Sequence, residues 1–413
     1  MSLTDTAGSA RAFTAGVDWA KDNHAVCVLD ADGEPVERVT VVHTRAGLAR
    51  LTDLLARYEV AGVGIERPDG PVVDALLAAG LTVFVIAPAQ VKSLRGRYGS
   101  AGNKDDRFDA YVLADTVRTD RRRLTPLRPD TAATIALRAL GRARQDLIRH
   151  RIAVANQLRA HLQHALPGVV GLFHAIDAPV SRAFLAEFTT QDAVDALTTV
   201  ARLADWPHAH NSHRSNPHLL LQRLSAAPRG ATGPHAQALA GVTHAYLAAL
   251  TAIAEQITAL EQQIADALQA HPDRRIFTSL PRAGTVRAAR LLAEIGDARG
   301  RFPTAASLAG LAGVTPSTRQ SGQIRVVTYR WAVDKQLRGA VCDFAADSRL
   351  ANPWAAQLYA EARARGHRHP HAVRILARAW LSVIWKCWTT NTPYNPDRHR
   401  ALQTLKQDQT TAA

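Results

Sequence analysis

The chain has 413 residues, with 50 lysines and arginines against 36 aspartates and glutamates, a formal charge of +14 and a pI near 10.4. That is long enough for two or three domains and basic enough to imply a polyanionic partner, nucleic acid above all. Cys27, Cys342 and Cys387 are far apart and form no CxxC pair, which excludes a disulfide framework or zinc module and fits a reducing cytoplasm; the apolar stretch AWLSVIWKCW is too short to span a bilayer and the N-terminus lacks an export signal, so no membrane role is expected.

In chain order, AFTAGVDW, HAVCVLD and PVERVTVV alternate as three strands, the last two joined by a DADG turn. A helix is expected over Ala46 to Tyr58, a buried strand at VAGVGIE, a helix over Val72 to Ala79, a strand at TVFVIA, and a helix from Asp105 onward. Three meandering strands followed by αβαβα is the order of a ribonuclease H-like (RuvC-like) domain, assigned to residues 10–125. In that order Asp18 ends the first strand, Glu66 ends the fourth, and Asp106 and Asp109 share one face of a helix. Four clustered carboxylates need cations to neutralise them. Hard oxygen ligands select Mg²⁺ or Mn²⁺, and two such ions bracket an in-line displacement at phosphorus. Asp105, beside the pair, is the expected helix cap and the rival ligand.

Residues 126–270 read as a helical linker. Its first part carries Leu140, Leu147, Ile148, Ile152, Leu158 and Leu162 beside Arg138, Arg142, Arg144, Arg149, Arg151 and Arg159, a stripe suited to a phosphate backbone. Residues 168–234 have the look of an insertion; His208, His210, His213 and His218 lie there with no cysteine or carboxylate to complete a metal set, so a polar loop is expected. From Tyr246, Leu250, Ile253, Ile257, Leu260 and Ile264 alternate steps of three and four, a coiled-coil seam expected to serve assembly, with packing inside the subunit as the alternative.

Residues 271–395 form a mainly helical C-terminal domain. IFTSLPRAGTVRAARLLAEIGD resembles a helix-hairpin-helix whose loop amides hold phosphates, with Arg282 and Arg287 as nucleic-acid-binding side chains. TPSTRQSGQIR then offers Ser321 between Arg319 and Arg325, which suit a scissile phosphate; Ser317 is the alternative hydroxyl. Trp354, Trp380, Trp385 and Trp388 are expected in the core, and residues 396–413 as a disordered polar tail.

The ordered set GVDWAKD, GIERPDG, KDDRFDAYVLAD, SLPRAGTVRAARLLAEIGD and AGVTPSTRQSG resembles the DEDD transposases of bacterial insertion sequences, the "one-ten" family related to Piv invertases. The resemblance implies an N-terminal RuvC-like domain with metal-binding acids at Asp18, Glu66, Asp106 and Asp109, and a C-terminal transposase domain with a nucleophilic serine at Ser321. It further implies DNA recombination guided by a structured noncoding bridge RNA, carried out by a homo-oligomer, dimer to tetramer, on donor and target DNA. A RuvC-like endonuclease acting by hydrolysis is the alternative, and a basic binding protein without catalysis a third reading.

Overall fold

The structure is a computed structural model that describes residues 13–98, 105–197, 206, 216–322, 324–329 and 333–404. His208, His210 and His213, and the side chains of Arg319 and Arg325, lie outside the described residues. The chain divides into two compact units: Met1–Asp130 with Ala298–Pro303, and Thr131–Asp297 with Thr304–Ala413.

The first unit is mixed α/β. Strands β1 (Thr14–Trp19), β2 (Asn23–Leu29) and β3 (Pro35–Val42) form an antiparallel meander, and β4 (Gly62–Ile65) and β5 (Val83–Val85) add in parallel, giving the order β3-β2-β1-β4-β5. The β2–β3 turn is fixed by Asp30, whose carboxylate accepts from the amides of Asp32, Gly33 and Glu34, as expected of an Asx turn. Helices α1 (Arg45–Arg57) and α2 (Pro71–Ala78) supply Leu51, Leu55, Val72, Val73 and Leu76 to the core on one sheet face. On the other face α4 (Asp106–Asp120) covers Ala25, Cys27 and Leu29 with Ala110 and Ala114. A short helix, α3 (Pro88–Arg95), precedes it. Nothing in the apolar pattern announced α3. Its signals were local: proline at the first helical position, and Gln90, whose side chain accepts from the amide of Ala87 at 3.1 Å.

The second unit is mainly helical. Helix α5 (Ala132–Ala165) is followed by α6 (Pro179–Glu187), α7 (Gln191–Asp195) and α8 (Pro217–Ala226), then by the long α9 (Gly233–Ala270). α5 and α9 pair antiparallel: Arg144 bridges to Glu261, while His161 bonds Thr243. Leu250, Ile257 and Ile264 of the apolar seam are buried in this hairpin of one chain, the packing within the subunit that was the alternative to assembly, while Ile253 and Leu260 stay half-buried. Among the described residues α9 is also the one helix long and apolar enough to cross a membrane by length and composition.

Beyond α9 come α10 (Arg274–Thr278), α11 (Gly284–Ile295), α12 (Ala305–Leu311), the hairpin β6 (Pro316–Ser321) and β7 (Ile324–Tyr329), then α13 (Lys335–Ser348), α14 (Pro353–Ala364) and α15 (His369–Thr390). Trp380 and Trp388 are fully buried, their indole N–H groups donating to Ser348 Oγ and the Gly296 carbonyl, each at 2.8 Å. Burying a large apolar side chain while satisfying its one donor is the efficient use of tryptophan. The tail is ordered further than its polarity implied, since Pro396–Arg398 forms a 3₁₀ turn and Leu402 is buried.

Candidate active site

The parallel register pairs Val17 with Ile65, so Asp18 and Glu66 follow one residue later on neighbouring strands. Side chains alternate along a strand, so Asp18 shares a face with Gly16, and Glu66 with Gly64. That face belongs to α4. A Cβ on Gly16 would lie 2.0 Å from the Ala110 carbonyl oxygen, and one on Gly64 would lie 2.7 Å from that of Leu113. Glycine is required at both positions for the helix to approach so closely.

Contacts along β1 set the direction of α4. Thr14 Oγ1 donates to the Ala114 carbonyl at 3.2 Å, and two residues later Gly16 meets Ala110 as well as Ala114. Along β4 the partner likewise moves from Val117 at Gly62 back to Leu113 at Gly64. The helix therefore runs antiparallel to the strands, with its first turn, which carries Asp106 and Asp109, directed toward the edge of the sheet where β1 and β4 end. Asp105 is the cap, accepting from the amide of Arg107 at 3.1 Å, and carboxylates in the first turn suit the positive end of the helix dipole.

The four acids differ in setting. Asp106 is exposed, Asp18 and Glu66 are half-buried, and Asp109 is only 2% exposed. Both Asp109 oxygens are engaged by Arg95 at the end of α3: Oδ1 accepts from Nε at 2.5 Å and Oδ2 from Nη2. A second buried carboxylate on α4, Asp115, is held by Tyr98 and by Arg118 Nε at 2.8 Å; burial, then the Asp115 bond, push the Tyr98 hydroxyl above its ordinary value. Arg67, next to Glu66, stacks over Trp19 at 4.5 Å and pairs with Asp69 at 3.1 Å.

The donors at this edge are all carboxylate oxygens, the chemistry Mg²⁺ and Mn²⁺ select. Among the described residues no three such side chains are drawn close enough to hold a metal ion. Arg95, missed in the sequence, holds Asp109 by both oxygens.

Ser321 belongs to the second unit, exposed at the tip of the β6–β7 hairpin, where Gly322 adopts φ +56°. Ser317 sits at the base, half-buried and paired in register with Thr328. The ribbon presents Ile324, Val326 and Val327 to solvent. Its base is anchored by Tyr329, whose ring meets His371 at 5.2 Å and carries the Arg374 guanidinium at 4.5 Å. Burial raises the Tyr329 hydroxyl, with Arg374 opposing, and pushes the Cys342 thiol up to about 11.

The expected nucleic-acid contacts are partly spent inside the protein. Arg282 and Arg287 both bridge to Asp347, at 3.0 and 2.9 Å, stabilising a turn in which Arg282 and Gly284 adopt φ +56° and +57°. On α5 the correction is larger. Arg142 forms a two-pronged bridge to buried Glu294, Arg144 pairs with Glu261, Arg151 with Asp177, and Arg138 donates to the Ala293 carbonyl. Four of the six arginines of the expected stripe are thus spent on contacts beyond α5, while Arg149 and Arg159 are exposed and bond Asp146 and Asn156 of α5 itself.

Comparison with known proteins gives the same reading at family level. A DEDD-type transposase profile for IS110 elements matches residues 15–167, and a transposase profile of the IS116/IS110/IS902 family matches residues 274–360. The Streptomyces coelicolor mini-circle protein to which the IS117 transposase role is ascribed is 32% identical over 95% of this chain and 97% of its own length. An uncharacterized 42 kDa protein of insertion element IS900 from Mycobacterium paratuberculosis is 30% identical over 92% of this chain and 97% of its own. An uncharacterized 43.6 kDa protein of insertion element IS110 from Streptomyces coelicolor is 30% identical over 70% of this chain and 72% of its own.

Proposed function

The chain belongs to the IS110/IS116/IS902 transposase family, and from that premise we propose that it is a DNA recombinase combining a divalent-cation site in a ribonuclease H-like first unit with a serine nucleophile in the second. The observation that supports the reading is the close approach of α4, whose first turn carries Asp106 and Asp109, to Gly16 and Gly64 on the two neighbouring strands that lead to Asp18 and Glu66. Asp18, Glu66, Asp106 and Asp109 would hold Mg²⁺ or Mn²⁺. Such a cation supplies charge neutralisation at the scissile phosphate.

The chain's own residues then have these roles. The Ser321 hydroxyl attacks phosphorus, its proton leaving to a base, as the Oγ–P bond forms and the P–O bond to the departing strand breaks. The liberated strand end, a hydroxyl, later attacks the phosphoserine of a different cut and regenerates Ser321, so the phosphodiester count is conserved. Arg319 and Arg325 flank the serine in sequence and suit the charge that develops on the phosphoryl oxygens. Arg282 and Arg287, near the turn before α11, suit the DNA or RNA backbone. The surplus charge of +14 fits a structured noncoding guide RNA as well as DNA, with base pairing supplying sequence choice and the protein reading shape and backbone. Action as a dimer or tetramer completes the proposal.

The test is trapping of a covalent protein–DNA adduct in cells carrying the gene with its flanking DNA, comparing wild type with Ser321→Ala, Ser317→Ala and Asp106→Asn. An adduct lost with Ser321 and Asp106 and kept without Ser317 is expected. Breaks that form without an adduct, undiminished in Ser321→Ala, would make the protein a hydrolytic nuclease.

A further inference from the structure

We propose that Arg95 is a metal-exchange residue: its guanidinium occupies the Asp109 carboxylate in the metal-free protein, yields it to an incoming divalent cation, and so sets the affinity of the site. The inference rests on the reading of Asp18, Glu66, Asp106 and Asp109 as cation ligands.

Asp109 is the most buried of the four acids, and both of its oxygens are bound by one guanidinium in fork-to-fork geometry. A buried carboxylate must be neutralised by something, and before a metal arrives Arg95 does this. A guanidinium and a divalent cation on the same two oxygens repel each other, so occupancy by one opposes the other. The exchange is sterically open. The Arg95 side chain is 28% exposed while that of Asp109 is 3% exposed, so the cation side of the pair has a route to solvent and the acid does not. Arg95 is also the last residue of a helix of 8 residues in which only Val91 is buried, a light anchor compared with α4, which buries eight of its residues on the sheet and α3. The arginine moves and the aspartate stays. Once displaced, the same guanidinium lies beside the acids with its donors free, placed to bind a phosphodiester oxygen.

The experiment is calorimetric titration of the full-length protein with Mn²⁺, comparing wild type, Arg95→Gln, Arg95→Lys and Asp106→Asn, with thermal unfolding of each measured with and without Mn²⁺. Removing the competitor should tighten Mn²⁺ binding by about tenfold or more in Arg95→Gln. Arg95→Lys, a point charge that cannot grip both oxygens, should fall between. Arg95→Gln should unfold at lower temperature without Mn²⁺ and regain the difference with it, because the ion takes over neutralisation of Asp109. Equal or weaker Mn²⁺ binding in Arg95→Gln, with Asp106→Asn still losing it, would overturn the exchange role alone and leave Arg95 a strut between α3 and α4. Absence of Mn²⁺ binding in every protein would overturn both this inference and the metal reading beneath it. Should Arg95→Gln fail to fold, Arg95→Lys decides the matter on the same affinity scale.

Discussion

Gly16 on β1 and Ala110 on α4 touch backbone to backbone, with a hypothetical Cβ at position 16 only 2.0 Å from the Ala110 carbonyl oxygen. The obstacle is main chain, so no rotamer change relieves it, and α4 has to lift from the sheet. Gly16→Ala is expected to cost about 2 to 3 kcal/mol of stability, the range for overpacking a well-filled contact. In the proposed site the displaced helix would also shift Asp106 and Asp109 relative to Asp18 and Glu66. DNA breakage should therefore fall more steeply than folded population; denaturant unfolding beside a cleavage assay at a temperature where the variant stays folded checks this, and unchanged cleavage would sever the glycine contact from the site.

Asp106 and Asp109 should respond differently to the same chemical change. Asp106 is exposed, so Asp106→Asn should leave the melting temperature within experimental scatter while abolishing DNA breakage and sparing DNA binding. Asp109 is buried against Arg95, so Asp109→Asn strands a guanidinium and should cost on the order of 2 kcal/mol, less than a fully buried pair because Arg95 reaches solvent. Equal melting temperatures for the two variants would show that the Arg95 pair contributes nothing to stability.

The contrast between those two acids marks what was legible in the sequence. Period-two alternation and the DADG turn announce β1 to β3, and Asp105 announces the start of α4, because those signals are local. Element order also placed Asp18 and Glu66 one residue beyond a paired position on neighbouring strands, which the Val17–Ile65 register bears out. What escaped was pairing at a distance. The arginines of α5 look like a phosphate stripe until Glu294 and Glu261 are placed beside Arg142 and Arg144, more than a hundred residues away in sequence. Likewise the seam of α9 reads the same whether its partner is another chain or α5. Heptad spacing states that a helix has a partner, not which one.

Ser321 and Ser317 stand at opposite ends of β6, the first exposed at the hairpin tip and the second half-buried at its base. Ser321→Ala should change stability by less than about 0.5 kcal/mol, as for surface positions generally, and remove the covalent adduct. Ser317→Ala should keep the adduct. Mass spectrometry of the trapped peptide decides between them, and a phosphoserine remnant on Ser317 would move the nucleophile to the base of the ribbon.

His24 is fully buried, with Nε2 2.8 Å from His43 Nδ1, and burial first and His43 second hold its pKa below the usual histidine value. Its folded-state pKa is thus lower than the unfolded value near 6.5, so the unfolded chain binds the proton more readily and stability falls as pH drops below about 6.5. His371 and His399 are lowered by burial as well and add in the same direction. Melting temperature should be flat from pH 7 to 8 and decline toward pH 5. His24→Gln should shallow that decline; an unchanged slope would assign it to the other two histidines.

Ile257 and Leu250 on α9 are 6% and 1% exposed against α5 of the same chain, so a charge placed there attacks the fold before it attacks any assembly. Ile257→Asp buries a carboxylate with no designed partner and should cost about 3 kcal/mol or more. The expected outcome is a chain that melts early, with loss of protection from proteolysis across α5 and α9 together. Light scattering combined with circular dichroism separates the alternatives. A variant that keeps its melting temperature but loses mass would return the seam to a role between subunits, with α5 then displaced from it in the assembled protein.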